Sequence, residues 1–420
     1  MKDNKSFCVM PWLHLHAWPA GEAYLCCIGG TGREENEVGD LSTQSIAEVM
    51  NGDKMKSIRK KMLAGEKIPN CKNCYEAEAG KGYSWREGFN AQFADEIEGI
   101  VENTAEDGTI DPKLLYVDFR FSNLCNLECR TCGSELSSSI ASTLGRNFPI
   151  KRQAELEEKG VMGKGNIVAY SNKNKLFTDD LKQYLKDTKC FYFAGGEPLM
   201  QKEHHEVLKY VHDNKWFDKE LRYSTNLSNL HYKQTDFVEM WKDFENVWLM
   251  CSIDHYGDKL EHIRQNVNSD RLWKNFDRLV STHFKLSITF VVSIYNIYYL
   301  YDFFKFLDDK GYIDRLHSLE MLYVFGDTES PACLPDFAKA ELIEKLKADE
   351  ESELYKRLCD KFSYLASGIQ GLPGFVNGQS TFTFEQFIDR VEKFDKMYNR
   401  NTSETFPWLG EVIEKSKTSN

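Results

Sequence analysis

An α/β fold built on parallel strands is what this sequence predicts, and two observations carry the prediction. From Leu114 onward six apolar, strand-like segments recur: Leu114–Phe121, Cys190–Ala194, Leu221–Thr225, Val247–Asp254, Leu286–Ile294 and Ser318–Phe325. Helix-compatible stretches separate them, notably Leu176–Thr188, His204–Asn214, Thr235–Asp243, Arg271–His283 and Tyr299–Lys310. Alternation repeated in this way argues for parallel strands joined by right-handed crossovers. Six units fall short of a complete eight-unit barrel, and functional groups then collect at the C-terminal ends of the strands.

Taken in order, residues 1–90 form a module of their own, marked by Cys8, Cys26 and Cys71-x2-Cys74. Alternation in "EAYLCC" suits a strand, Pro19–Gly21 suits a turn, and Gly21 relieves the backbone near a bulky group. In "GDKMKSIRKKMLAGE", Met55, Ile58, Met62 and Leu63 recur at helical spacing, so the basic residues read as the wet face of an amphipathic helix. Residues 91–112 are acidic, end in turn residues and read as a linker. Residues 113–326 hold the six strand–helix units, with a long polar insert at 134–175 that reads as a loop. The segment 327–420 reads as amphipathic helices that could cover the mouth of the barrel.

Composition narrows the function classes. A net charge of −12 gives no long-range attraction to nucleic acid or to an anionic membrane. No apolar run reaches the ~20 residues of a membrane span, and no signal peptide is visible, so a cytoplasmic setting with reduced thiols is expected.

The densest chemical signal is Cys125, Cys129 and Cys132, a C-x3-C-x2-C run just after the first barrel strand. Three soft thiolates that close together point to iron–sulfur or zinc rather than to disulfides. Zinc wants a fourth ligand nearby, and none follows Cys132. Three thiolates on a four-iron cube leave one iron open.

This run resembles the signature of the radical S-adenosylmethionine (SAM) superfamily, and four later stretches agree in order. "FYFAGGEPLM" carries Gly195, Gly196, Glu197 and Pro198; "LRYSTNLSNL" carries Ser224, Thr225 and Asn226; "VWLMCSIDHYGDKLEHIR" carries Ser252, Asp254 and Arg264; and "LSITFVVSIYN" ends at Asn296. The front pattern, C-x12-G-x4-C followed by Cys71-x2-Cys74, resembles a SPASM/twitch auxiliary-cluster module, placed here ahead of the barrel and without the further cysteines of the full SPASM pattern. The resemblance implies a partial (βα)6 TIM-type barrel with a small N-terminal β-hairpin/helix iron–sulfur module and a helical C-terminal tail.

It also implies the chemistry. Two [4Fe–4S] clusters are expected, one on Cys125, Cys129 and Cys132 that binds SAM, and an auxiliary one on Cys8, Cys26, Cys71 and Cys74. A zinc site on the same four front cysteines is the alternative. Gly195–Pro198 are assigned to the methionine amine, with Glu197 ordering the loop. Asn226, Ser252 and Asp254 are assigned to ribose hydroxyls, and Arg264 to the SAM carboxylate. Thr131 stands where relatives place an aromatic residue against adenine, so the backbone around Val292 or Leu322–Val324 takes that role.

The expected enzyme reductively cleaves SAM to a 5′-deoxyadenosyl radical and takes hydrogen from a peptide or a small polar metabolite, with flavodoxin or ferredoxin as reductant. Arg120 (with Asp118 and Tyr116), Glu320 and Tyr323 are pocket candidates. Cys333 is the candidate hydrogen donor, Cys27 is a spare, and Cys190, Cys251 and Cys359 read as core. The module begins by Cys8, which is expected to leave no room for a leader-binding domain. A non-catalytic zinc scaffold and an RNA-modifying radical SAM enzyme are the alternative readings.

Overall fold

A computed structural model describes residues 4–30, 32–144, 150–324 and 328–418. The chain gathers into two compact units. One comprises the residues up to Cys125, Ser134–Ser224 and His231–Val247; the other comprises Asn126–Gly133, Thr225–Leu230 and the residues from Trp248 onward.

In the first unit the front segment forms β1 (His14–Ala17), β2 (Glu22–Tyr24) and β3 (Gly39–Asp40), followed by helices α1 (Asp53–Leu63), α2 (Lys72–Ala79) and α3 (Trp85–Gln92). The expected hairpin is present, with β1 antiparallel to β2. Gly21 has φ of +101°, and a Cβ there would lie 2.5 Å from Asp40 Oδ1 and 2.8 Å from the Ser42 amide. Within the chain, the close neighbour that demands glycine is the β3 turn.

One helix corrects the reading of its charges. Met55, Ile58 and Met62 are buried on α1 as expected, but so is Arg59. Its guanidinium donates to the carbonyls of Pro11 (2.9 Å), Gly108 (3.0 Å) and Met50 (2.6 Å), which ties three separate stretches together. Within the expected linker, Ile97–Glu102 is helical.

The sheet of this unit continues through β4 (Tyr116–Phe119), β5 (Cys190–Phe193) and β6 (Glu220–Thr225), with helices α4 (Phe177–Lys182), α5 (Lys202–Asp213) and α6 (Phe237–Trp241). The helices around α4 and α6 are shorter than the periodicity predicts, because turns follow α4 and a Thr235–Asp236 bridge strand precedes α6. β4, β5 and β6 are mutually parallel. β1 joins them, parallel to β4 with His14 opposite Tyr116 and Ala17 opposite Phe119, so the front module supplies a strand to the sheet.

The register separates two faces. Phe119 packs on Phe177, Phe193 on His204 and Tyr223 on Trp241, all residues of the covering helices. The alternate positions are polar and lie in two rows across the strands: His14, Tyr116, Cys190 and Glu220, then His16, Asp118, Tyr192 and Arg222.

The second unit contains β7 (Asn246–Ser252), α7 (Ser269–Val280), β8 (Lys285–Val292), α8 (Leu300–Asp309) and β9 (Leu316–Tyr323). β7, β8 and β9 are parallel neighbours. Phe290 packs on Phe303 and Phe304 of α8, while Ser252, Thr289 and Glu320 share a row on the opposite face. All six expected barrel strands therefore form, each followed by helix, in the mixed α/β class that a partial (βα)6 barrel requires. Phe325, at the end of the sixth expected strand, lies outside the described residues.

The tail folds into α9 (Asp336–Glu350), α10 (Glu353–Lys361), α11 (Ser363–Val376) and α12 (Phe384–Tyr398). α11 packs on β9, where Gly368 lets the backbone approach Met321. Among the described residues no helix is long and apolar enough to cross a membrane.

Four buried histidines set an acid limit. Desolvation lowers His14 and His255 to about 4 and His204 and His262 to about 3. They are neutral in the folded protein, whereas the unfolded chain protonates them below about 6.5. The unfolded state then binds more protons, so stability rises with pH and drains away as pH falls from about 7 towards 4. Each costs about 1 kcal/mol by pH 5.5. Urea midpoints should therefore fall clearly between pH 7.5 and 5.5; equal midpoints would contradict this account.

Candidate functional site: two cysteine sets and a braced glycine loop

The front cysteines lie together in the first unit. Cys8 precedes the first helical turn, Cys26 follows β2, Cys71 caps α2, and Cys74 lies within it. Backbone N–H groups point at the thiols: Met10 at Cys8, Ile28 and Gly29 at Cys26, and Trp85 and Arg86 at Cys74. Such donors favour thiolate and tune a bound cluster.

Burial pushes the Cys8 and Cys26 thiols up to about 12, so a cluster must displace protons when it loads. Cys71 feels the charges of Cys8, Cys26 and Cys74. Yet among the described residues no three His, Cys, Asp or Glu side chains converge closely enough to hold a single ion. Arg86 holds this region by donating to the Phe7 carbonyl (2.7 Å) and pairing with Glu78 (2.6 Å), a role nothing in the sequence pattern announces.

Cys125 begins the second set. Its amide donates to Ser138 Oγ (3.2 Å), and its carbonyl accepts from Ser139 Oγ (2.8 Å). The preceding residues are fastened to the Gly-Gly loop. A Cβ on Gly196, at φ +58°, would lie 2.5 Å from the Leu124 carbonyl oxygen, and one on Gly195 would lie 2.6 Å from Arg120. The Glu197 amide donates to that Leu124 carbonyl (2.7 Å), and Gln201 Nε2 donates to the carbonyls of Ser122 (3.1 Å) and Gly195 (2.7 Å). The buried Glu197 carboxylate accepts the Leu199 amide and caps the short helical turn at Pro198–Met200, which is the loop-ordering role expected of it. Gln201, Ser138 and Ser139 escaped the sequence reading, because single polar residues carry no period.

Within the second unit, Cys129 pairs with Arg264 across a two-residue antiparallel bridge. Arg264 Nη1 approaches Cys129 Sγ at 3.6 Å, while Nε and Nη2 donate to the two oxygens of Asp254 at 2.8 and 3.1 Å. Asp254 is fully buried and also accepts the Val291 amide at 2.8 Å. The sequence sent Asp254 and Arg264 to different parts of SAM; the structure joins them to each other and to Cys129. Asn226 donates to Asn126 Oδ1 (3.3 Å) inside the cysteine loop and accepts the Ser228 amide. The buried Asn296 secures Asp254 by donating to its carbonyl (3.1 Å).

The remaining candidates disperse. Val292 is fully buried on the helix-covered face, and its carbonyl accepts the Val324 amide. Tyr323 lies on that same face, donating to the Gly368 carbonyl and packing on Phe375. Glu320 faces the other way, in a chain running Trp248, Ser287, Ser318, Glu320. Cys333 is buried and its thiol donates to the Thr328 carbonyl (3.4 Å).

In the first unit Arg120 pairs with Asp118 (3.2 Å) and stacks over Tyr192 (5.0 Å). Burial alone would raise the Asp118 carboxyl, but Arg120 and His16 outweigh it and hold it at about 2. Cys27 lies within the field of that pair, and none of the chain's twelve cysteines is in a disulfide.

Comparison with known proteins agrees with this geometry. Residues 8–75 match a family described as an iron-sulfur cluster-binding domain, SPASM, and residues 119–307 match the radical SAM superfamily. No curated protein matches the chain. Among solved structures it is similar to native anSMEcpe with bound AdoMet and Cp18Cys peptide (12% identity, covering 54% of this chain and 59% of that one, TM-score 0.31). It is also similar to Streptococcus suis SuiB (16% identity, 72% of this chain and 63% of that one, TM-score 0.34). The chain spans between half and three fifths of the anSMEcpe structures. The chain thus carries a SPASM-type iron-sulfur cluster-binding domain at residues 8–75 ahead of a radical SAM domain at residues 119–307.

Proposed function

We propose that this enzyme abstracts a hydrogen atom from a peptide or a small polar metabolite in the cytoplasm, drawing electrons from a carrier of the flavodoxin or ferredoxin type. Cys125, Cys129 and Cys132 would hold the SAM-site cluster, and Cys8, Cys26, Cys71 and Cys74 the auxiliary cluster. When bound, cluster and SAM together supply a hydrogen-abstracting radical. The chain's own residues do the rest. The glycine loop and Gln201 fix the entry to the cysteine loop, and Arg264 holds Cys129 against Asp254.

The observation that carries the substrate class is the polar sheet face bearing His16, Asp118, Tyr192 and Arg222. These groups pair with one another and their neighbours, His16 and Arg120 with Asp118, Tyr192 with Ser224 and Arg222 with Glu220, and present a polar surface that supports a polar substrate. By function, residues 1–90 serve the auxiliary cluster, 91–112 connect, 113–326 carry the SAM chemistry, and 327–420 support it.

Iron and sulfide per chain, with SAM cleavage after dithionite reduction of anaerobically reconstituted protein, test this reading. About eight irons and 5′-deoxyadenosine are expected. About four irons would remove the auxiliary cluster, and a colourless, zinc-only protein would overturn the enzyme reading. The Cys129→Ala variant should lose about four irons and all cleavage, whereas Cys71→Ala should lose about four irons and keep cleavage.

The Gly196→Val substitution forces a side chain against the Leu124 carbonyl in a left-handed conformation. It should cost about 1–3 kcal/mol of stability and lower retention of the triad-bound iron. Wild-type iron content and melting temperature in that variant would show that the close approach is unimportant.

A further inference from the structure

Arg130 stands between two triad cysteines, and it does not face solvent: only 3% of it is exposed. Its Nε donates to the His262 carbonyl at 2.9 Å, Nη1 to the Tyr295 hydroxyl at 3.3 Å, and Nη2 to His262 Nε2 at 2.9 Å. Its guanidinium carbon lies over two rings, with centroids 5.0 Å away at Tyr295 and 4.9 Å away at Phe394. Phe394 belongs to α12, more than 260 residues further along the chain, and so does Asp395, 3.8 Å from the guanidinium.

The same helix reaches the residue on the other side of Cys129. The Tyr398 hydroxyl donates to Glu128 Oε2 at 2.5 Å, and Asn266 donates to the second oxygen of that carboxylate at 3.1 Å. Beyond α12 the chain is locked back onto this cluster of groups. The buried Thr402 donates through its amide and hydroxyl to Asp395, at 2.7 and 2.8 Å, and its hydroxyl lies 3.0 Å from His262 Nε2.

We propose that α12 is a positioning clamp for the cysteine loop, gripping both neighbours of Cys129 through Phe394–Arg130 and Tyr398–Glu128. The proposal rests on the reading of Cys125, Cys129 and Cys132 as the SAM-site cluster. A desolvated guanidinium over two π faces is held in direction as well as in place. A two-point grip on residues 128 and 130 fixes the backbone that presents Cys129. The C-terminal segment thereby takes a part in cluster geometry that a helix merely covering the fold would not have. Arg130 and Phe394 are positioning residues: they act through Cys129 and touch no reacting atom.

The test uses full-length reconstituted protein and two readouts other than turnover, iron release to a ferrous chelator and the EPR signal of the reduced SAM-site cluster. The Cys125→Ala variant, holding only the front cluster, separates the two iron phases. Phe394→Leu keeps bulk but loses the ring, and should speed release of SAM-site iron about tenfold and change its EPR signal. Phe394→Tyr restores the ring and should stay within about twofold of wild type. Tyr398→Phe, a milder change, should shift the same EPR signal and leave the front cluster untouched.

If Phe394→Leu and Tyr398→Phe both match wild type, or if both clusters loosen equally, the clamp is overturned while the SAM chemistry stands. If wild type binds no more iron than Cys125→Ala, the cluster reading fails and the clamp falls with it.

Discussion

The ion pair of Arg264 with Asp254 is the constraint on which the rest of the second unit depends. Both groups are shielded from water, and a charge taken out of water must find an opposite charge and enough hydrogen bonds. The guanidinium meets both carboxylate oxygens. One of those oxygens accepts the Val291 amide, and Asn296 ties the Asp254 carbonyl to that of Val291. The end of β7, the end of β8 and the residue facing Cys129 are thus one connected object. Moving any of them would strand a buried charge, so the electrostatic cost of disorder falls on the loop that presents Cys129.

The same economy recurs wherever the chain lacks regular structure. Backbone carbonyls in buried turns need donors, and a few side chains supply several at once. Arg59 serves three carbonyls, Gln201 two, and Asn123 two separate stretches, at Ser134 and at Asn166–Val168. These residues are rivets. None of them is chemically reactive, yet Gln201 fastens the glycine loop to the residues before Cys125.

The sheet of the first unit divides its two faces by function. Phenylalanines and Tyr223 take the helix side, where apolar burial supplies the stability. Ionised and hydroxylated residues take the other, stabilised by one another in Asp118 with Arg120 and Tyr192 with Ser224. β1 adds His14 and His16 to that polar face, so the module with the front cysteines also helps to build it.

The six barrel strands, the two cysteine sets and the Gly-Gly turn were legible in the sequence because each is local. A strand is written in a period of two, and a cluster motif in fixed spacing along the chain. What the linear pattern left open is long-range. β1 pairs with β4 across about a hundred residues, Asp254 pairs with Arg264, and α12 contacts Glu128 and Arg130. Tyr323 and Glu320 sit three residues apart on one strand yet face opposite sides, and the packing of α11 decides which side is covered. The cysteine spacing and the existence of each barrel strand follow from local covalent spacing and periodicity. The partner of each buried charge is chosen only when distant segments meet, because the cost of leaving it unpaired is a property of the folded interior.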